Sequence, residues 1–254
     1  LPFRDEYALG AVNSINWARI LAQIVYYFYG AFRVMDATGA AGVRFAVPTG
    51  NFGDIFAGYL AWRMGLPVRR LVLATNENDI LARFFQTGIY RASPVRATIS
   101  PSMDIQVASN FERYLYYRLH EDARGLDKLM RQFARTGAIN LPAATPDDAI
   151  FSAGSADTAA TLATIRRYHE QYGYLLDPHT AAGVHVAEQH LHPDEPMISL
   201  ATAHPAKFSD AIKDALGHAP PPHPVLAALE NLPERRTILD ADPDAVRHYI
   251  RGHT

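Results

Sequence analysis

The chain has 254 residues, enough to bury one large core, or one large and one small. Charged residues make up 20% and hydrophobic ones 48%, and the net charge of −2 gives no electrostatic footprint for nucleic acid or a membrane surface. There is no cysteine, which excludes disulfides, thiolate metal sites and cysteine nucleophiles, and a reducing cytoplasmic location is expected.

The sequence begins at Leu1 rather than a methionine, so a processed or truncated piece is expected. Asn13 is a good N-cap residue for the helix that follows. Ile20, Leu21, Ile24, Val25, Phe28 and Phe32 recur there at helical spacing and predict a wide buried face. Residues 20–32 form the longest apolar run, too short to span a bilayer. Asn13, Ser14, Asn16 and Arg19 put two amides, a hydroxyl and a guanidinium in the first turns, where capping or an oxyanion cradle are both open readings.

Phe45-Ala46-Val47 reads as a buried strand that breaks at Pro48, passes through Gly50 and Gly53 and enters a helix with Ile55, Phe56, Tyr59 and Leu60. Strand, glycine loop and helix N-terminus form a geometry that binds phosphate, because free N–H groups and the helix dipole both face the anion. An ordinary strand-to-helix turn has the same pattern, and the loop is neither of the common dinucleotide or nucleoside-triphosphate glycine motifs. A second strand is predicted over 69–74, with a helix starting at Thr75-Asn76 and ending at Gly88. This alternation predicts an α/β fold, a parallel sheet with helices on both faces and ligands at the carboxyl ends of its strands.

From about 101 to 173 the pattern turns mostly helical, with helices over 111–119, 127–134 and 157–172, the last closed by Gly173. Asp177-Pro178 is a cap followed by proline at the first helical position, leading a helix over 180–189. Residues 197–201 read as a third buried strand, followed by a helix from Ser209 or Asp210 to Gly217. The proline-rich 219–224 reads as a linker to a helical tail, so 1–218 is expected to be the main domain portion and 219–254 the linker and tail. His185, His190 and His192 read as solvated surface histidines rather than a metal site, Asp147-Asp148 as helix caps, and Tyr114, Tyr116 and Tyr117 as packing.

Three stretches, in order, carry a resemblance. Asn13-Ser14-Ile15-Asn16 with Arg19, Pro48-Thr49-Gly50-Asn51-Phe52-Gly53-Asp54, and Thr202-Ala203-His204-Pro205-Ala206-Lys207-Phe208 resemble the threonine synthase family. The stretches at 74–79, 102–104 and 176–180 fit the same family, and the likeness runs from about Asn13 to Gly217. The resemblance implies the tryptophan-synthase-β-like fold (fold type II) and pyridoxal 5'-phosphate as cofactor. It also implies conversion of O-phosphohomoserine and water to threonine and phosphate.

By that resemblance Gly50, Asn51, Phe52, Gly53 and Asp54 hold the cofactor phosphate, and Thr202 meets its pyridine nitrogen. Asn13, Ser14 and Arg19 grip the substrate phosphate. The family's Schiff-base lysine lies upstream of all these motifs, so no catalytic residue is assigned here. Lys128, Lys207 and Lys213 are the only lysines, and Lys207 matches a different family position. The chain by itself is therefore expected to be inactive. Small-molecule substrate, no nucleic acid, no membrane and no metal are the expected partners. A serine or threonine dehydratase-like enzyme and a non-catalytic metabolite-binding remnant are the alternatives.

Overall fold

The structure, a computed structural model, describes residues 2–10, 13–141, 145–229 and 232–253, without the side chains of 146 and 147. The expected capping role of Asp147 therefore lies outside the described residues. In chain order the elements are α1 (Pro2–Glu6), α2 (Trp17–Thr38), β1 (Val43–Pro48), α3 (Gly53–Arg63) and β2 (Val68–Thr75). Next come α4 (Ile80–Thr87), β3 (Ile89–Arg91), α5 (Phe111–Arg118), α6 (Ala123–Thr136), β4 (Ala138–Asn140) and β5 (Phe151–Ser155). Then follow α7 (Thr158–Tyr172), α8 (Pro178–Glu188), β6 (Met197–Ser199), α9 (Ser209–Leu216), α10 (Pro224–Leu229) and α11 (Pro243–Arg251). Residues 1–220 form one compact unit and 221–254 a second.

Four parallel strands in the order β5-β2-β1-β6 make the central sheet of the first unit. Both faces are covered, which is why β1 and β2 read as continuous apolar runs rather than alternating ones. Phe45, Val47, Leu71 and Leu73 point into the main core shared with α2, α3 and α4. Ala46, Val72 and Ala74 point the other way, against Val186 and Ala187 of α8. Small residues on that face let α8 lie close, and a Cβ on its Gly183 would sit 2.8 Å from Pro48 Cγ.

Three expectations need correction. The N-cap of α2 is Asn16, whose side chain accepts from the Ala18 N–H, while Asn13 accepts from Ile15 N–H in the turn before it. The face that α2 buries is Ile20, Ile24, Tyr27 and Ala31; Leu21, Val25 and Phe32 are exposed. Tyr27 rather than Leu21 defines the contact, because Gly58 of α3 leaves room for its ring, only 2.6 Å from where a Cβ would stand. The helix after β2 begins at Ile80, not at Thr75, because Thr75 ends the strand and Asn76 and Asn78 are committed to a side-chain network described below.

The segment 101–173 supplies more than helices. β5, with the sequence Phe-Ser-Ala-Gly-Ser, pairs with β2 along its whole length. Its small residues give it little strand signal, and Gly154 is needed because a Cβ there would approach Val186 Cγ1 to 2.8 Å. β3 and β4 form a separate antiparallel pair. The predicted helix after Asp177 is α8, with Asp177 as N-cap and Pro178 in its first turn, and α7 is closed by a left-handed Gly173.

Candidate functional site

The carboxyl ends of the parallel strands open on one edge of the sheet, where the segments after β1, β2 and β6 gather. The Thr49 N–H donates to the Ala74 carbonyl at 2.7 Å, fixing the start of the glycine loop to the end of β2. Gly50 must be glycine, because a Cβ would lie 2.6 Å from the Ser102 carbonyl oxygen. Phe52 adopts the left-handed region, φ 63° and ψ 3°, a conformation that costs a non-glycine residue about 1–2 kcal/mol. Its ring is fully buried against Phe85 and Phe111, and that burial holds the turn.

The loop therefore delivers Gly53 at the N-terminus of α3. Among the described residues, none accepts a hydrogen bond from the backbone N–H groups of Gly50, Asn51, Phe52 or Gly53. Asp54 is different. Its carboxylate accepts from the Tyr26 and Tyr27 hydroxyls and ties α3 to α2, so its backbone alone can serve the loop. Burial raises the Asp54 pKa, outweighing those two hydrogen bonds, which act in the opposite direction.

Asn51 brings the first motif to the loop. Its carbonyl accepts from the backbone N–H and the Nδ2 of Asn110, at 3.0 and 3.1 Å. The same Nδ2 donates to the Ser14 carbonyl at 2.9 Å. Ser109 Oγ lies 3.4 Å from Ser14 Oγ and donates to Asn51 Oδ1 at 3.2 Å. Asn13 and Ser14 thus lie beside the glycine loop, and Arg113 holds the turn through the Ile15 carbonyl at 2.6 Å. Arg19 is exposed on the first turn of α2, and its guanidinium meets no acceptor among the described residues.

Thr202 joins from the other side. Its N–H donates to Thr180 Oγ1 at 3.1 Å, and Thr180 in turn donates to the Asp177 carboxylate. His179 Nδ1 lies 3.0 Å from Asp177 Oδ1, while its Nε2 accepts from the Ser102 N–H at 3.2 Å. That acceptor role assigns the proton to Nδ1. Burial pushes the Asp177 carboxyl upward, but hydrogen bonds from His179 and Thr180 outweigh it, and its pKa falls below the ordinary value. Because the Ser102 carbonyl lies against Gly50, one chain of contacts runs from the glycine loop to Thr202, whose side chain is exposed.

Asp104 anchors the remaining loop. It accepts from Asn76 Nδ2 at 2.7 Å, Asn78 Nδ2 at 3.0 Å and the Thr98 backbone N–H at 2.8 Å. This network holds the segment that carries Ser102 against the end of β2. Asn110 and Ser109 are the site residues that pattern reading did not find. Asn110 sits at the N-cap of α5, but its side chain makes no cap there because it bridges Ser14 and Asn51. Nothing in the sequence separates it from an ordinary cap.

The residues present fit a phosphate-bearing cofactor, since the loop combines unpaired N–H groups with a position where even a methyl group does not fit. Lys128, Lys207 and Lys213 are all exposed. Lys207 lies in a 3-10 turn, residues Pro205–Lys207, just beyond Thr202. Among the described residues no group of three or more His, Asp or Glu side chains is placed to hold a metal. His190 is half-buried, and burial together with Arg70 and Arg44 lowers its pKa.

Residues 180–250 match the family model described as threonine synthase, C-terminal. Threonine synthase of Methylobacillus glycogenes is 46% identical over 99% of this chain and 54% of its own length. That of Corynebacterium glutamicum is 45% identical over 98% of the chain and 53% of its own. A crystal structure of PLP-bound threonine synthase from Brucella melitensis superposes with a TM-score of 0.88 at 46% identity, covering all of this chain and 55% of that one. The sheet, its flanking helices and the glycine-loop edge define an α/β protein of the fold-type-II pyridoxal-phosphate class. Within that class, the chain is similar to threonine synthases along nearly its whole length. It spans about half the length of the curated relatives it matches.

Proposed function

We propose that the chain supplies the cofactor-phosphate and substrate-phosphate sites of a threonine synthase, a lyase that converts O-phosphohomoserine and water to threonine and phosphate with pyridoxal 5'-phosphate. The observation that carries the reading is the pairing of two anion-binding segments. The unpaired N–H groups of Gly50, Asn51, Phe52 and Gly53 lie next to Ser14, joined through Asn110. A reaction on a phosphorylated substrate with a phosphorylated cofactor needs two such sites side by side.

In this reading the backbone of residues 50–54 holds the cofactor phosphate at the N-terminus of α3, where the helix dipole contributes roughly 0.3–1 kcal/mol. Asn13 and Ser14 donate to the substrate phosphate, and Arg19 supplies the planar charge that suits a dianion. Thr202 offers a neutral hydroxyl to the pyridine nitrogen, which imposes no protonation on that atom. When bound, pyridoxal phosphate supplies the electron sink for carbanions at the substrate Cα and Cβ. The role of Thr180, Asp177 and His179 is to hold Thr202 and Ser102 in place.

No lysine here is assigned the covalent anchor and proton shuttle, because Lys207 belongs to the Thr202 motif and Lys128 and Lys213 are exposed on helices. The 254 residues alone are therefore expected to release no phosphate from O-phosphohomoserine. A dehydratase-type reading leaves the Asn13, Ser14 and Arg19 cluster without a use, since such a substrate carries no phosphate.

The test is a phosphate-release assay of the chain, with borohydride trapping in pyridoxal phosphate and inorganic phosphate as the binding probe. Expected are no turnover, no trapped lysine, and a rise in melting temperature with millimolar phosphate that Gly50→Ala abolishes. Turnover, or an adduct mapped to Lys207, would overturn the assignment.

A further inference from the structure

Ser14 and Ser109 are 95 positions apart in sequence, yet their hydroxyl oxygens lie 3.4 Å apart, with either able to donate. Ser109 also reaches Asn51, donating to its Oδ1 at 3.2 Å. A serine hydroxyl carries one proton, so Ser109 serves only one of these two acceptors at a time. The separation from Ser14 is long for two hydroxyls, whose bonds centre on about 2.7–2.8 Å. The shorter contact puts the Ser109 proton on the Asn51 side.

The backbones around these three side chains are pinned. Ala108 N–H donates to the buried Tyr90 hydroxyl at 2.8 Å, and Asn110 N–H to the Asn51 carbonyl at 3.0 Å, one on each side of Ser109. Asn110 Nδ2 donates to the Ser14 carbonyl at 2.9 Å and to that of Asn51 at 3.1 Å. Arg113 holds the next carbonyl, Ile15, at 2.6 Å. What remains free to turn is the hydroxyl protons.

A phosphate dianion only accepts. A hydroxyl that meets it gives up its own proton to the bond, and its oxygen is left with acceptor capacity alone. Among the described residues, the Ser109 hydroxyl is the one hydrogen-bond partner of Ser14 Oγ. A proton from Ser109 polarises Ser14, and hydrogen bonds in a chain that ends on an anion strengthen one another. It also removes the competing arrangement in which Ser14 donates to Ser109 and has no proton left for a ligand.

We propose that Ser109 is a positioning residue for the substrate phosphate. When Ser14 donates to a bound phosphate, Ser109 turns its proton from Asn51 Oδ1 to Ser14 Oγ and fixes the Ser14 proton on the ligand. Ser109 acts through Ser14 and does not itself touch phosphate. The inference rests on the reading that Ser14 meets the substrate phosphate. The same turn takes from Asn51 Oδ1 its one donor among the described residues, so the glycine loop senses the occupancy of the neighbouring segment through a single proton.

The experiment titrates the 254-residue chain with inorganic phosphate while pyridoxamine 5'-phosphate saturates the glycine loop. Ser14→Ala, Ser109→Ala and the double variant complete a mutant cycle. Expected is phosphate affinity about fivefold weaker in Ser109→Ala, as loss of one hydrogen bond implies, and no further loss when Ser109→Ala is added to Ser14→Ala. Losses that add in full would show Ser109 acting independently of Ser14 and would overturn the proposal. Phosphate binding that Ser14→Ala leaves unchanged would instead reject the underlying reading, and the proposal with it.

A second readout needs no variant at Ser14. In a nitrogen-15 spectrum of the parent chain, the Asn51 side-chain amide should shift as phosphate is added, because its oxygen loses a donor. Ser109→Ala should abolish that shift. A parent amide that stays in place while phosphate binds, or a shift that persists in Ser109→Ala, would show that no proton turns.

Discussion

Asn110 Nδ2 lies 2.9 Å from the Ser14 carbonyl oxygen and 3.1 Å from that of Asn51, so one fully buried amide serves two segments far apart in sequence. Through it the turn before α2 is registered against the glycine loop. The relative position of these two segments therefore depends on a residue that belongs to neither.

Removing that amide should cost stability and separate the two segments. Asn110→Ala leaves two part-buried carbonyls with fewer donors, which costs about 1–3 kcal/mol. Urea denaturation should show the loss as a lower midpoint. Phosphate should then protect the variant less than the parent chain, and equal protection would show that Asn110 has no part in the site.

Gly50→Ala tests the loop itself. Its new methyl would stand 2.6 Å from the Ser102 carbonyl, so either the loop or the 101–103 turn must move. Overpacking of this kind costs about 1–3 kcal/mol. Gly39, where no atom lies within 4 Å, is a control for strain without crowding, because its φ of 72° is the only obstacle to alanine. Thermal melts of the two variants, with and without phosphate, distinguish backbone strain from loss of the proposed anion site.

Asp104→Ala should loosen the segment from Arg96 to Ser102. Asp104 accepts from Asn76, Asn78 and Thr98, and a hydrogen bond to a charged group contributes about 1.5–3 kcal/mol. Limited proteolysis should find a new cut between Ser93 and Ser102, while Asp104→Asn keeps part of the network and resists longer. An unchanged digest would show that other contacts hold the segment.

Stability should fall in acid. The pKa of Asp177 is depressed in the folded chain, and so is that of Asp148, where hydrogen bonds from Arg118 and Tyr114 outweigh the cost of burial. A depressed folded pKa contributes stability that is present above about pH 4, the unfolded value, and is lost as pH falls through the folded one. Asp54 has the opposite sign. Its folded pKa is raised, so its contribution is present below about pH 4 and disappears as pH rises. Urea midpoints from pH 2 to 7 should therefore flatten in Asp177→Asn below pH 4 and rise more steeply above it in Asp54→Asn.

Much of this arrangement was legible in the chain. β1 and β2 are buried on both faces, so their apolar runs stood out, and Gly173 and Asp177-Pro178 marked helix ends through local backbone chemistry. β5 was not legible, because Ser152, Ala153 and Gly154 are small and carry no strand preference of their own, Gly154 being the one that lets Val186 of α8 lie close. The buried face of α2 was misread for a related reason. The helix is apolar nearly all round, and periodicity cannot choose a side when both sides qualify.

The sequence by itself determined the α/β class, the glycine loop at a helix N-terminus and the family to which those motifs belong, because turns, caps and loop glycines act over a few residues. Tertiary structure alone decided which groups meet. It directed the Asp54 carboxylate to the Tyr26 and Tyr27 hydroxyls. It also set His179 between Asp177 and Ser102, and Asn110 between Ser14 and Asn51. Such contacts join residues up to 96 positions apart. Their energy depends on burial and distance in space, which no local pattern of residues encodes.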